Sequence, residues 1–231
     1  MNGSRVGSHT GSQARDVLMG GAQVVGALIG APVLRRRYNQ WGATPAEVTS
    51  PMPGDALVPT PRLGYTRAIT IDAAPAEVWA WLVQIGQGRG GLYSFDGLEN
   101  LARCDIHSTD RIQPELQSLA EGEVIRLGGP PGYPCFRVWS VAPAESLVLV
   151  SADPMPPHEA ATADSPGGLA TWQWQLRPRA AGRGTRLLAR QRLTYQDNMN
   201  VMWHLVEPIG FVMERQMLRG IKARAERPPA P

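Results

Sequence analysis

Hydrophobic and polar positions follow three regimes along the chain. Residues 17–34, VLMGGAQVVGALIGAPVL, form eighteen consecutive positions without a charge, and Gln23 is the one strongly polar side chain among them. Residues 38–63, YNQWGATPAEVTSPMPGDALVPTPRL, are rich in proline and hold no sustained period, which predicts a short helix at most, around Pro45–Val48, in an otherwise extended linker. From Gly64 onward the pattern has a period of two, then 3.6, then two again, and finally 3.6.

YTRAITID (65–72) alternates as a strand with Ile69 and Ile71 on one face. A helix to about Ile85 follows, with Asp72 as the expected N-cap, Pro75 in its first turn and Val78, Trp81, Leu82 and Ile85 in one apolar stripe. A second short helix is expected from Asp96 to about Ala102. Strands are then expected at 123–127, 136–141, 146–152, 169–176 and 183–195. In the fourth of these Trp172, Trp174 and Leu176 oppose Thr171, Gln173 and Gln175. In the fifth Leu187, Ala189 and Leu193 oppose Arg186, Arg190 and Arg192. Such alternation predicts an antiparallel sheet with one buried and one wet face. The chain closes on a helix from Pro208 to about Arg224, with Ile209, Val212, Met213, Met217 and Ile221 inward and Arg215, Arg219 and Lys222 toward water. Strands grouped apart from helices make the fold class α+β.

These boundaries divide the chain into a disordered tail (1–16), an apolar helix (17–37), a linker (38–63), a folded domain (64–226) and a short tail (227–231). The apolar helix just reaches the length needed to cross a bilayer. Arg35, Arg36 and Arg37 behind it would hold that end in the cytoplasm. Ala22, Gly26 and Gly30 give it small-x-x-x-small spacing. Four glycines and Pro32 weaken it as a span, so packing on its own domain or on a partner is the alternative. A cleaved signal fits less well, because the arginines follow the apolar run.

Net charge is +3 with Lys222 the single lysine, and the arginines are scattered, so no nucleic-acid footprint is present. Cys104 and Cys135 make neither a disulfide framework nor a C-x-x-C pair. Gly86, Gly88 and Gly91 match G-x-G-x-x-G, with Asp110 about twenty residues on. A dinucleotide site needs those glycines between a strand and a helix N-terminus. Here they follow a helix, at its negative end. The expected role is a tight turn, and no cofactor is expected.

The stretch APAEVWAWL (74–82), the stretch QGRGGLYSFDGLENL (87–101) and the final GTRLLARQRLTY (184–195) before a long helix resemble the SRPBCC superfamily. The likeness is to its bacterial polyketide cyclase/dehydrase-like members within the START/Bet v 1 helix-grip group. That resemblance covers roughly residues 64–226. It implies a curved antiparallel sheet around the C-terminal helix, two short helices after the first strand, and a cavity for a hydrophobic small molecule or lipid. Tyr93, Phe95, Trp172, Trp174, Met213 and Met217 are the expected ligand-binding residues. The alternative for each is an ordinary core position.

The segment RCDIHSTDRIQPE (103–115) gathers Cys104, Asp105, His107, Asp110, Arg111 and Glu115. Its spacing suits neither a zinc site nor a Cys–His nucleophile with an orienting third group, and no metal is expected. Asp105 and His107 are the candidates for acid–base work of the cyclase kind, provided they face the cavity. Otherwise they tie down a loop, with Asp110 pairing to Arg111. Three functions remain open: a binding module tethered at a membrane by residues 17–34, an enzyme using the same cavity, and a partner-docking domain with a filled core.

Overall fold

The computed structural model describes residues 6–129, 131–165, 167–179 and 184–228. Six strands form one antiparallel sheet: β1 (Leu63–Ile71), β2 (Val124–Arg126), β3 (Cys135–Ala142), β4 (Ser146–Ala152), β5 (Ala170–Pro178) and β6 (Thr185–Leu193). Their spatial order is β1-β6-β5-β4-β3-β2, so the first and last strands pair and close the chain on itself. The helices are α1 (Val6–Asn39), α2 (Pro45–Thr49), α3 (Pro75–Val83), α4 (Asp96–Leu101) and α5 (Asn200–Ala225). The sheet curves around α5, with α3 and α4 between β1 and β2: a helix-grip arrangement with a long apolar helix added at the front.

The core lies between the sheet and the helices. Ile71, Val138, Leu147, Leu149, Trp172, Trp174 and Leu187 from the strands meet Val78, Leu82, Met217, Leu218 and Ile221 from α3 and α5. A second cluster joins Ala27 of α1 to Phe95, Phe211 and Val212.

Several expected boundaries shift. Helix α1 begins at Val6, so residues 6–16 of the expected disordered tail are helical. Residues 1–5, 229–231 and Arg183 lie outside the described residues. Helix α3 starts at Pro75. A proline at the first helical position moves the cap to Ala74, whose N–H bonds the Glu77 carboxylate at 2.7 Å. Asp72 instead pairs with Arg179. Helix α5 runs two turns further back than Pro208, because Glu207 and Trp203 hold those turns on α1 and Tyr195. Its buried stripe is Glu207, Phe211, Glu214, Leu218 and Ile221, a spacing that leaves Ile209 partly outward.

The largest correction concerns residues 38–63. This stretch is not a free linker; it covers the outer face of the sheet. Met52 packs on Ala68 and Leu188. The arginines expected to face water are covered by it. Arg186 pairs with Glu47 at 2.7 Å, and Arg192 Nε donates to Val58 O at 2.7 Å. Arg190 has five N–H groups and five short bonds: to Thr66 Oγ1, Asp55 Oδ2, Ser50 O, Glu47 O and Val48 O. Three of those acceptors are carbonyls at the end of α2, where a cation is favoured. Arg186 beside it holds the Glu47 carboxyl at about 2.

Arg190→Ala should therefore cost about 3 kcal/mol, since it removes the nearest cation from Asp55 and a donor from each of three carbonyls inside the cover. A urea midpoint within experimental error of wild type would show that the cover adds nothing to stability.

Candidate functional site

Two glutamates sit seven residues apart on the buried side of α5, and each meets an arginine from a different element. Glu207 accepts two bonds from Arg35 Nε of α1, at 2.9 and 3.0 Å, and a third from Asn39. Glu214 pairs with Arg67 of β1 at 2.6 Å and accepts from the Trp172 indole N–H at 2.9 Å. The Arg67 side chain has no solvent exposure. Its Nε donates to the Tyr38 carbonyl at 3.0 Å, and its guanidinium stacks 3.9 Å from the centre of the Tyr65 ring. Its Nη2 has no hydrogen-bond partner among the described residues. Burial first, and the Glu214 charge second, raise the Tyr65 phenol above its ordinary pKa.

These groups occupy the junction of α1, β1 and α5. Beside them lies an open cleft of about 260 Å³, bordered by Asn39, Gln40, Tyr65, Thr66, Arg190 and Gln191. A smaller one, about 40 Å³, lies at the far rim by Arg126, Tyr133, Cys135 and His158. Cys135 and Cys104 are free thiols, and burial raises the pKa of both.

The expected ligand-binding residues divide between two clusters. Tyr93, Trp172, Trp174 and Met217 share the main core. The Trp172 and Trp174 rings lie 4.2 Å apart, and Phe136 closes on Trp172 at 5.6 Å. The Tyr93 hydroxyl donates to Trp81 O and accepts from Gln84, and burial pushes its pKa up to about 12. Phe95 and Met213 belong instead to the cluster beneath α1. Neither cleft is bordered by any of these six residues.

Asp105 and His107 are not in the grip. Their side chains are 65% and 75% exposed and bond each other at 3.1 Å. Asp105 has a positive φ of 53° and accepts from Gln87, so its work is in the loop. Asp110 reaches Arg224 and Arg227, not Arg111. Asp96 binds the N–H and hydroxyl of Ser108, tying this loop to α4. The glycine segment is a tight turn: Gly86 and Gly91 exchange backbone bonds at 2.9 and 3.0 Å, both at positive φ.

Sequence reasoning missed Arg67, Glu207, Glu214 and Glu99. A signal for the first was present, since Arg67 shares the parity of Ile69 and Ile71. Glu207 and Glu214 likewise stand in register with Leu218 and Ile221. Glu99 of α4 is buried, has an unpartnered oxygen, and has its pKa raised to about 8 by burial first and Asp96 second.

No family model matches the chain, and no curated protein matches it. Several solved structures resemble it in part, at low identity and with TM-scores below 0.5. A protein from Arthrobacter aurescens is 16% identical, with 79% of this chain and 94% of that one covered and a TM-score of 0.42. MLL2253 from Mesorhizobium loti is 15% identical over 72% of this chain and all of that one, at 0.41. StfQ, a di-domain ARO/CYC from the steffimycin biosynthetic pathway, is 12% identical over 71% of this chain and 50% of that one, at 0.40. Likeness at this level carries no argument about fold or activity.

Glu214→Ala should destabilise the protein by about 3–5 kcal/mol, because it leaves Arg67 buried and uncompensated; a loss below 1 kcal/mol in urea unfolding would contradict this. Glu99 predicts a pH dependence of a definite sign. Its folded pKa, about 8, lies above the ordinary 4.5. Between those values the folded state keeps a proton that the unfolded state releases, so its contribution makes stability fall as pH rises and levels off above about 8. Glu99→Gln should flatten that part of the urea-midpoint profile, and an unchanged slope would count against it.

Proposed function

We propose that this chain binds a small, largely apolar molecule or lipid carrying a polar acceptor group, gripped between the sheet and α5. The helix-grip order of its elements supports placing it with the SRPBCC superfamily. The observation that carries the reading is the contrast between two buried arginines. Arg190, in the structural cover, has every N–H satisfied, whereas Arg67, on the aromatic inner wall, keeps Nη2 without a partner. A buried donor left open is costly unless an acceptor arrives to meet it. Around it, Tyr65, Phe211 and Trp172 form an aromatic wall whose faces are packed by Arg67, Tyr38, Trp174 and Phe136, and the apolar body of such a molecule would have to part these contacts.

The 260 Å³ cleft reaches Tyr65 beside Asn39 and Gln40, and its other walls, Val48, Pro61, Thr66, Arg190 and Arg192, belong to the covered outer side of the sheet. That volume is below the roughly 300–1,000 Å³ of most ligand sites, so uptake on this reading requires the end of α1 to yield. The acceptor group then takes a place beside the Tyr38 carbonyl on Arg67. An acid–base enzyme in this cavity has less support, because Asp105 and His107 are on the surface and Glu214 is engaged by Arg67 and Trp172. The close packing of Trp172, Trp174 and Phe136 favours the second reading, a partner-docking domain with a filled core.

Native mass spectrometry of the gently purified full chain should show an excess mass that organic solvent removes. Arg67→Met, with its fold verified by circular dichroism, should lower uptake of added fatty acids about 10–100-fold, the loss of one charge-assisted bond. A bare mass, together with no uptake from a panel of fatty acids and polycyclic aromatics, would transfer the assignment to the filled-core reading.

A further inference from the structure

Helix α1 is long and apolar enough, by length and composition, to cross a membrane. Its side contacts describe a different use. One face is fastened to the domain: Ala27 packs with Phe95, Phe211 and Val212, Tyr38 stacks on Phe211 at 4.4 Å, Arg215 bonds Gln23, and Arg35 and Asn39 bond Glu207. Opposite, Leu18, Val25, Ile29 and Val33 stand 73%, 56%, 77% and 86% exposed. The first turns of α5 add Val201, Met202 and Leu205, also exposed. Large aliphatic side chains this exposed, on neighbouring packed helices, mark a surface that meets something apolar.

Charge identifies the occupant. Between Asp16 and Glu47 the chain has no acidic residue, and its only charges are Arg35, Arg36 and Arg37. Arg36 and Arg37 are exposed and directly follow the apolar stripe, and residues 200–206 likewise carry no acid. An apolar stripe about 22 Å long ending in exposed arginines matches the boundary between acyl chains and anionic headgroups.

We propose that α1 and the first turns of α5 form a docking surface for an anionic bilayer, with α1 lying in the membrane plane and still seated on α5. A crossing while docked would carry Arg215, Glu214 and Glu207 of α5 into hydrocarbon, which is costly for each charge. A crossing after undocking would strip the covering from Phe211, Val212 and the Glu207 carboxylate. Lying flat requires neither. This proposal is independent of the ligand site.

The test uses the full chain with vesicles of phosphatidylcholine containing phosphatidylserine, and of phosphatidylcholine alone. The protein should sediment with the anionic vesicles, bind the neutral ones at least tenfold more weakly, and be released by alkaline carbonate. Ile29→Glu with Val33→Glu should abolish sedimentation with no change in melting temperature, as both side chains point outward. Arg36→Gln with Arg37→Gln should weaken it about tenfold or more. Retention after carbonate would establish a spanning helix and overturn the proposal. So would absence of binding to either vesicle, or a dimer in light scattering that the Ile29/Val33 variant splits.

Discussion

The pairing of Arg67 with Glu214 is the contact on which the interior is organised. It joins β1 to α5 in a place where neither charge reaches water, and through the Tyr38 carbonyl it draws in the end of α1. Burying two ions is expensive, and their attraction offsets the desolvation only when geometry is good and remaining sites are filled. Trp172 fills one site on Glu214, whereas Arg67 keeps one open. The same pair thus fixes how the helix sits in the sheet and leaves an unmet donor on the inner wall.

A second charged layer works on the opposite side of the sheet by a different rule. There the arginines of β6 meet carbonyls and carboxylates of residues 47–59, and the result is a fully bonded seam. Over β1, β5 and β6 the sheet is therefore covered on both faces, which the alternation of polar and apolar residues in β5 and β6 disguises. Polar side chains at every second position normally signal water. Here they signal a second stretch of backbone with its own polar groups to satisfy.

This explains how much of the molecule was legible in the sequence. Strands β1 to β6 and helices α3 to α5 follow from periodicity, because each buries at least one apolar face whose spacing is local. The role of residues 38–63 was not legible, since their partners are about 120 to 140 positions away and involve carbonyls, which leave no mark in a sequence. The site divides similarly. Trp172, Trp174, Tyr93 and Met217 stand out as apolar positions, whereas Arg67 and Glu214 look like ordinary charged residues until strand parity and helix register place them inside. Asp105 and His107 drew notice by their chemistry, but a loop with positive φ at Asp105 turns both outward.

The seam between α1 and α5 also bears on how the chain is made. Arg35 and Glu207 are 172 residues apart. At a synthesis rate of about 5–20 residues per second, roughly 10 to 30 seconds separate the emergence of the apolar helix from that of its covering partner. During that interval both faces of residues 17–34 are bare, the one destined for α5 as well as the outward one. Until α5 has emerged, that segment is open to any factor that binds apolar helices at the ribosome exit.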